Sequence, residues 1–73
     1  MAIDQCEARE ARRRESRNAS LMTVKRRLAE VASELEFLIM STPTGDRRNT
    51  FTDVNIHVLE ATKYIGTIKS EEA

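Results

Sequence analysis

"STPTGDRRNTFTD", Ser41 to Asp53, holds the only proline and one of the two glycines of a 73-residue chain. Its reading decides the fold. Pro43 lacks an N–H and disfavours helical geometry at Thr42, so a helix arriving from the N-terminal side must finish near Met40 or Ser41. Gly45 can take a positive φ and reverse the chain within a few residues. Asn49 or Thr50 then suits an N-cap, and Asp53, three residues after Thr50, places a carboxylate in the first turn of a second helix. The stretch reads as a tight turn between two helices.

Outward from the turn, both flanks carry a helical rhythm. Before it, Leu21, Val24, Leu28, Val31, Leu35 and Leu38 step by three and four, the spacing of an a/d seam. After it, Phe51, Val54, Val58, Ala61, Ile65 and Ile68 repeat the rhythm over a similar length. Two matched seams joined by a short connection favour antiparallel neighbours. The expected fold class is all-α, an antiparallel helical hairpin with a charged N-terminal helical extension, assembling as a homo-oligomeric helix bundle. The expected boundaries are a basic arm over 1–20, a hairpin over 21–69 (helix 21–41, turn 42–49, helix 50–69) and a disordered tail over 70–73.

Size makes assembly the default. Below about 70–80 residues one core rarely supplies more than about 3–5 kcal/mol without a staple. Cys6 is the only cysteine, so no disulfide can form within the chain. Apolar residues off the seams offer a surface between copies: Phe37 and Met40 in the "FLIM" run that ends the first helix, and Ile56 and Leu59 on the back of the second. They are expected to gather near the turn, and a host protein target is the competing use for them. No apolar run approaches the ~18 residues of a membrane span, and the charged N-terminal stretch does not resemble a signal peptide, which points to a cytoplasmic protein without a membrane partner.

Formal net charge is zero but unevenly spread. From Glu7 to Arg27 eight basic residues face three acids, a net of +5 that the remaining chain balances with −5. A solvated arm laced by pairs such as Glu10 with Arg13 and Arg14 accounts for this. A nucleic-acid contact through Arg12, Arg13, Arg14, Arg17, Lys25, Arg26 and Arg27 is the less favoured reading, because a basic stripe is the footprint of phosphate binding without being specific to it. The layout of a basic-region zipper fits poorly, since the seam stops at Pro43 after less than three heptads.

Catalytic inventory is sparse. The single histidine, His57, is far in sequence from Cys6, so no nucleophile and base pair up, and no Walker loop is present. Asp53, His57 and Glu60 share a helix face, but three such residues on one exposed helix are more often a solvated polar stripe than a metal site. The expectation is a non-enzyme with no cofactor and no metal. What the turn does offer is anion binding: Arg47 and Arg48 lie where the second helix begins, with its unpaired N–H groups nearby. Tyr64 is available to stack on a base. The competing reading has both arginines solvated or paired with Asp46, Asp53 or a neighbouring chain's acids.

Asp46 and Arg47 at the restart, followed by Leu59, Glu60, Ala61 and Tyr64 and then by Ile65 and Ile68, resemble the small phage proteins that sequester cyclic-nucleotide immune signals, the anti-CBASS and anti-Thoeris sponges. The likeness spans residues 28 to 69. It implies a non-enzymatic homo-oligomer in a bacterial cytoplasm that binds cyclic di- or trinucleotides between protomers, a counter-defence function. Arg47, Arg48 and Tyr64 are the residues proposed to touch such a ligand.

Overall fold

A computed structural model describes residues 2–72, and two helices account for most of them: α1, Ala2–Ser41, and α2, Asp46–Gly66. The first runs on without a boundary between the basic arm and the seam, because Glu7 to Asn18 supplies helix formers and no glycine or proline interrupts it. It stops at Ser41, where Pro43 requires it to. The helices pack against each other as an antiparallel hairpin, while the first dozen or so residues of α1 project past both α2 and the C-terminal tail, giving a molecule of 65 × 17 × 14 Å.

The turn is tighter than the sequence suggests. The second helix begins at Asp46, not at Thr50, and neither Asn49 nor Thr50 caps it. Gly45 is the N-cap, at φ 154° and ψ −171°, and its carbonyl accepts the Asn49 N–H at 3.0 Å. Only glycine adopts that backbone without strain, and the reversal completed there lets the helix start at the next residue. Thr50 instead donates its Oγ1 proton back to the Asp46 carbonyl, 2.9 Å away inside the helix. At the far end α2 finishes at Gly66, short of residue 69, where the Thr67 and Ile68 N–H groups bond to the carbonyls of Tyr64 and Ile65.

The contact between the helices differs from the expected seams in a regular way. Central residues are as read: Leu21, Leu28 and Leu35 on α1 and Phe51, Val58 and Ile65 on α2 are all shielded, Leu35 down to 8% exposure. The second inward column, however, lies four residues after each central position. Lys25, Ala32 and Ile39 on α1, with Asn55 and Thr62 on α2, are half-buried. Val24, Val31 and Leu38, and Val54, Ala61 and Ile68, three residues after the central positions, stay exposed.

Polar residues on the inward columns find uses. Lys25 Nζ donates to the Ile68 carbonyl at 2.7 Å, so a cation from α1 holds the segment just past the C-terminal end of α2. Thr62 bonds its own helix at the Val58 carbonyl, 2.8 Å away. Asn55 is the exception: its Oδ1 is sealed from solvent with no partner among the described residues.

Nor is the C-terminal tail loose over residues 70–72. Asn18 grips Glu71 through both backbone groups, its Nδ2 donating to the carbonyl at 2.9 Å and its Oδ1 accepting the N–H at 2.8 Å. Arg17 adds a forked pair to the Glu71 carboxylate at 2.7 and 2.8 Å, and Arg14 donates to the Glu72 carbonyl at 3.1 Å. The expectation of a disordered tail missed this clasp because the tail's partners sit more than 50 residues away in sequence.

Candidate functional site

At the turn, Arg47 and Arg48 occupy successive positions in the first turn of α2 and therefore point in different directions. The Arg47 guanidinium lies over the Phe51 ring, 5.9 Å from its centroid, a cation–π contact that holds it against the hairpin's end. Arg48 is half-buried toward the loop and donates to Thr44 Oγ1 at 3.3 Å. Among the described residues neither guanidinium pairs with a carboxylate; the alternative pairings with Asp46 and Asp53 are not made. Gly45 directs the free N–H groups of α2 into the same region.

Tyr64 does not join them. It stands 71% exposed, seventeen residues along α2, which at 1.5 Å per residue is about 25 Å from Arg47. One protomer therefore does not assemble the three residues proposed as a ligand site. Rise along the helix axis separates them, so a ligand touching all three would have to bridge protomers.

The basic stripe is partly consumed inside the molecule. Arg17 binds Glu10 and Glu71 together, at 2.9 and 2.7 Å. Its guanidinium holds both carboxyls below the usual range, chiefly by direct hydrogen bonding, and they in turn hold it more firmly protonated. Glu10 thus pairs one heptad on and not with Arg13 or Arg14. Arg14 and Lys25 are committed to carbonyls of the C-terminal segment, and Arg26 stands 3.9 Å from Glu30. Of the seven basic residues considered for nucleic acid, Arg12, Arg13 and Arg27 remain without an internal partner among the described residues. Two recesses on the arm and α1 are open: a depression of about 450 Å³ beside Gln5, Ala8, Arg9 and Arg12, and one of about 470 Å³ beside Ser33, Glu34, Phe37 and Leu38.

His57 sits 4.0 Å from Glu60 on an exposed face, and Cys6 is exposed on the arm. Among the described residues no three His, Cys, Asp or Glu side chains converge as metal ligands. No helix among them is long and apolar enough to cross a membrane.

The apolar residues named as an oligomer surface divide between faces. Phe37 and Met40, 70% and 83% exposed, lie on the outer side of α1 near the turn, whereas Ile56 and Leu59 lie along the middle of α2. They do not form one patch, because the stepping of α2 carries Leu59 toward one side of the hairpin and Ile56 toward its back. Comparison with known proteins finds no family model, curated relative or solved structure that matches this chain.

Proposed function

We propose that this chain is a non-enzymatic binding module that works in the cytoplasm as a homo-oligomer, through helix surfaces and not through an enclosed pocket. One observation carries the reading: among the described residues the hairpin buries a single apolar side chain, Leu35, while large apolar residues from Met22 to Tyr64 stay exposed on both helices. So small a core leaves a lone copy only marginally stable, and the exposed surface is of the kind that partners cover. Self-association is the first use of that surface, and inhibition or bridging of a host protein is a second. Light scattering after size exclusion tests the first directly. A cooperatively melting monomer at micromolar concentration overturns it.

A second reading, sequestration of an anionic ligand, is favoured by the turn, where Arg47 and Arg48 lack carboxylate partners beside a helix N-terminus. Each charge-assisted contact there contributes roughly 1.5–3 kcal/mol, enough for micromolar binding of a phosphate held by two of them. The cyclic-nucleotide form of this reading, with its counter-defence role in a phage, rests on the resemblance alone. Calorimetry with cyclic di- and trinucleotides against the wild type and Arg47→Ala/Arg48→Ala is the test, with at least tenfold weaker binding expected in the double variant. If no nucleotide raises the melting temperature at high micromolar concentration, a protein partner becomes the leading assignment. Binding to duplex DNA is a weaker reading still, since Arg14, Arg17 and Lys25 are already engaged within the chain.

A further inference from the structure

The unexpected choice of inward columns leaves a face with its own order. Val24, Val31 and Leu38 on α1 and Val54 and Ala61 on α2 sit at equivalent positions, three residues after the central column of each helix. Equivalent columns of an antiparallel pair fall on the same side of it, so all five line one face of the hairpin. At 100° per residue that face lies roughly 80° from the direction of the neighbouring helix, the angle at which helices of a bundle meet a second neighbour. The four larger residues are only 38–44% exposed, against 70% or more for Phe37, Met40 and Tyr64, so they form a surface and not a row of projections.

The face is also symmetric. Its α1 column is centred on Val31, with Val24 and Leu38 seven residues to either side. Charge is not symmetric about that centre. The open end, residues 17–27 with 60–72, carries six basic residues against three acids, whereas the turn half, 30–59, carries five acids against two basic residues, giving +3 and −3. A rim position beside the face repeats the pattern, with Arg27 toward the open end and Glu34 toward the turn, neither in an ion pair among the described residues.

We propose that the face is covered by a second copy of the chain, related by a two-fold axis that passes beside Val31 perpendicular to the helices, so that each open end lies over the partner's turn. The result is an antiparallel four-helix bundle. This deepens the homo-oligomer reading and rests on it. In this arrangement Val24 lies over Leu38 of the partner subunit, and Val31 over the partner's Val31. Arg27 falls beside Glu34 of the partner subunit, twice per dimer, and the +3 and −3 ends neutralise each other. The opposite orientation, turn over turn, stacks ends of like charge. The α1 column spans fourteen residues, about 21 Å, so a face two helices wide covers on the order of 400 Å² per copy, the size of a weak, reversible complex.

Three measurements on the full chain test this. Light scattering at tens of micromolar gives a dimer for the wild type and for Ile56→Asp, and a monomer with retained helical circular dichroism for Val31→Glu. Arg27→Glu and Glu34→Arg each weaken the dimer by at least threefold, and the double variant recovers most of that loss. In a Cys6→Ser background, mixed Val24→Cys and Leu38→Cys copies form a disulfide that neither copy forms alone. A monomeric wild type overturns both this proposal and the oligomer reading beneath it. A dimer that survives Val31→Glu and fails with Ile56→Asp leaves self-association standing and overturns the face. Loss with Val31→Glu but neither charge rescue nor mixed crosslinking overturns the antiparallel orientation.

Discussion

Gly45 and Asn55 show how single residues set the hairpin's stability in opposite directions. Gly45 lies at φ 154° with open space where a Cβ would project, so a side chain there meets no clash and is opposed only by the backbone. Gly45→Ala is expected to destabilise by about 1–3 kcal/mol. A chain of this size should then lose roughly 4–8 °C of melting temperature per kcal/mol. Asn55 works the other way: its sealed amide oxygen lacks a partner among the described residues. A buried unsatisfied acceptor costs about 1–3 kcal/mol, so Asn55→Leu, similar in size, should raise the melting temperature. Polar residues in a seam can also fix register, and slippage of the Asn55→Leu helices, visible as loss of amide dispersion in NMR spectra, marks that role. The Arg17 cluster predicts a pH dependence. Glu10 and Glu71 are depressed below their ordinary value of 4.5, so the clasp is fully present above that value and is lost as pH falls through the lowered ones. Carbon-13 titration of the Glu71 carboxyl checks it, with a midpoint below 4.5 in the wild type that rises in Arg17→Gln.

At the scale of the elements, α1 and α2 are unequal partners. Gln5 to Arg13 are exposed on every side, since α2 and the tail end before reaching them. That arm is a single helix in water, held by propensity and continuity with the packed part of α1. Deleting residues 1–9 should therefore change the melting temperature by no more than about 2 °C. Replacing Asn18 with Ala should instead free the tail, read as faster proteolysis after residue 68 with α2 intact. Both boundaries of α2 differ from the sequence reading for identifiable reasons. Capping preferences favoured Asn49 or Thr50 at its start, but glycine's access to a positive φ completed the reversal earlier. Its end moved to Gly66 because glycine propagates a helix poorly and Lys25 supplies a cation for the carbonyl at Ile68.

For the whole molecule, the proposed homo-oligomer makes stability depend on association, since the core of one hairpin is small. Tenfold dilution should lower the melting temperature of wild-type chain by a few degrees, because a subunit equilibrium shifts by about 1.4 kcal/mol per decade of concentration. Val31→Glu should melt at one temperature across that range. Much of the candidate ligand site was legible only as composition. Two adjacent arginines at a helix start are readable from sequence, and so is a lone tyrosine. Their 25 Å separation follows from helical rise once α2 is known to be unbroken between them.

The sequence by itself determined two helices, the break between them and the stripe each helix turns inward, since proline, glycine and three-four spacing act locally. The central column, Leu21 to Leu35 and Phe51 to Ile65, follows from that spacing. Which neighbouring column shares the seam was decided only by the tertiary structure. Both lie within the same apolar sector of the helix, and composition favoured Val24, Val31 and Leu38 over Lys25, Ala32 and Ile39. Packing two helices together reverses that preference. Small Ala32 and Thr62 fit between the backbones, Lys25 reaches the end of α2, and the more apolar column is left to face outward.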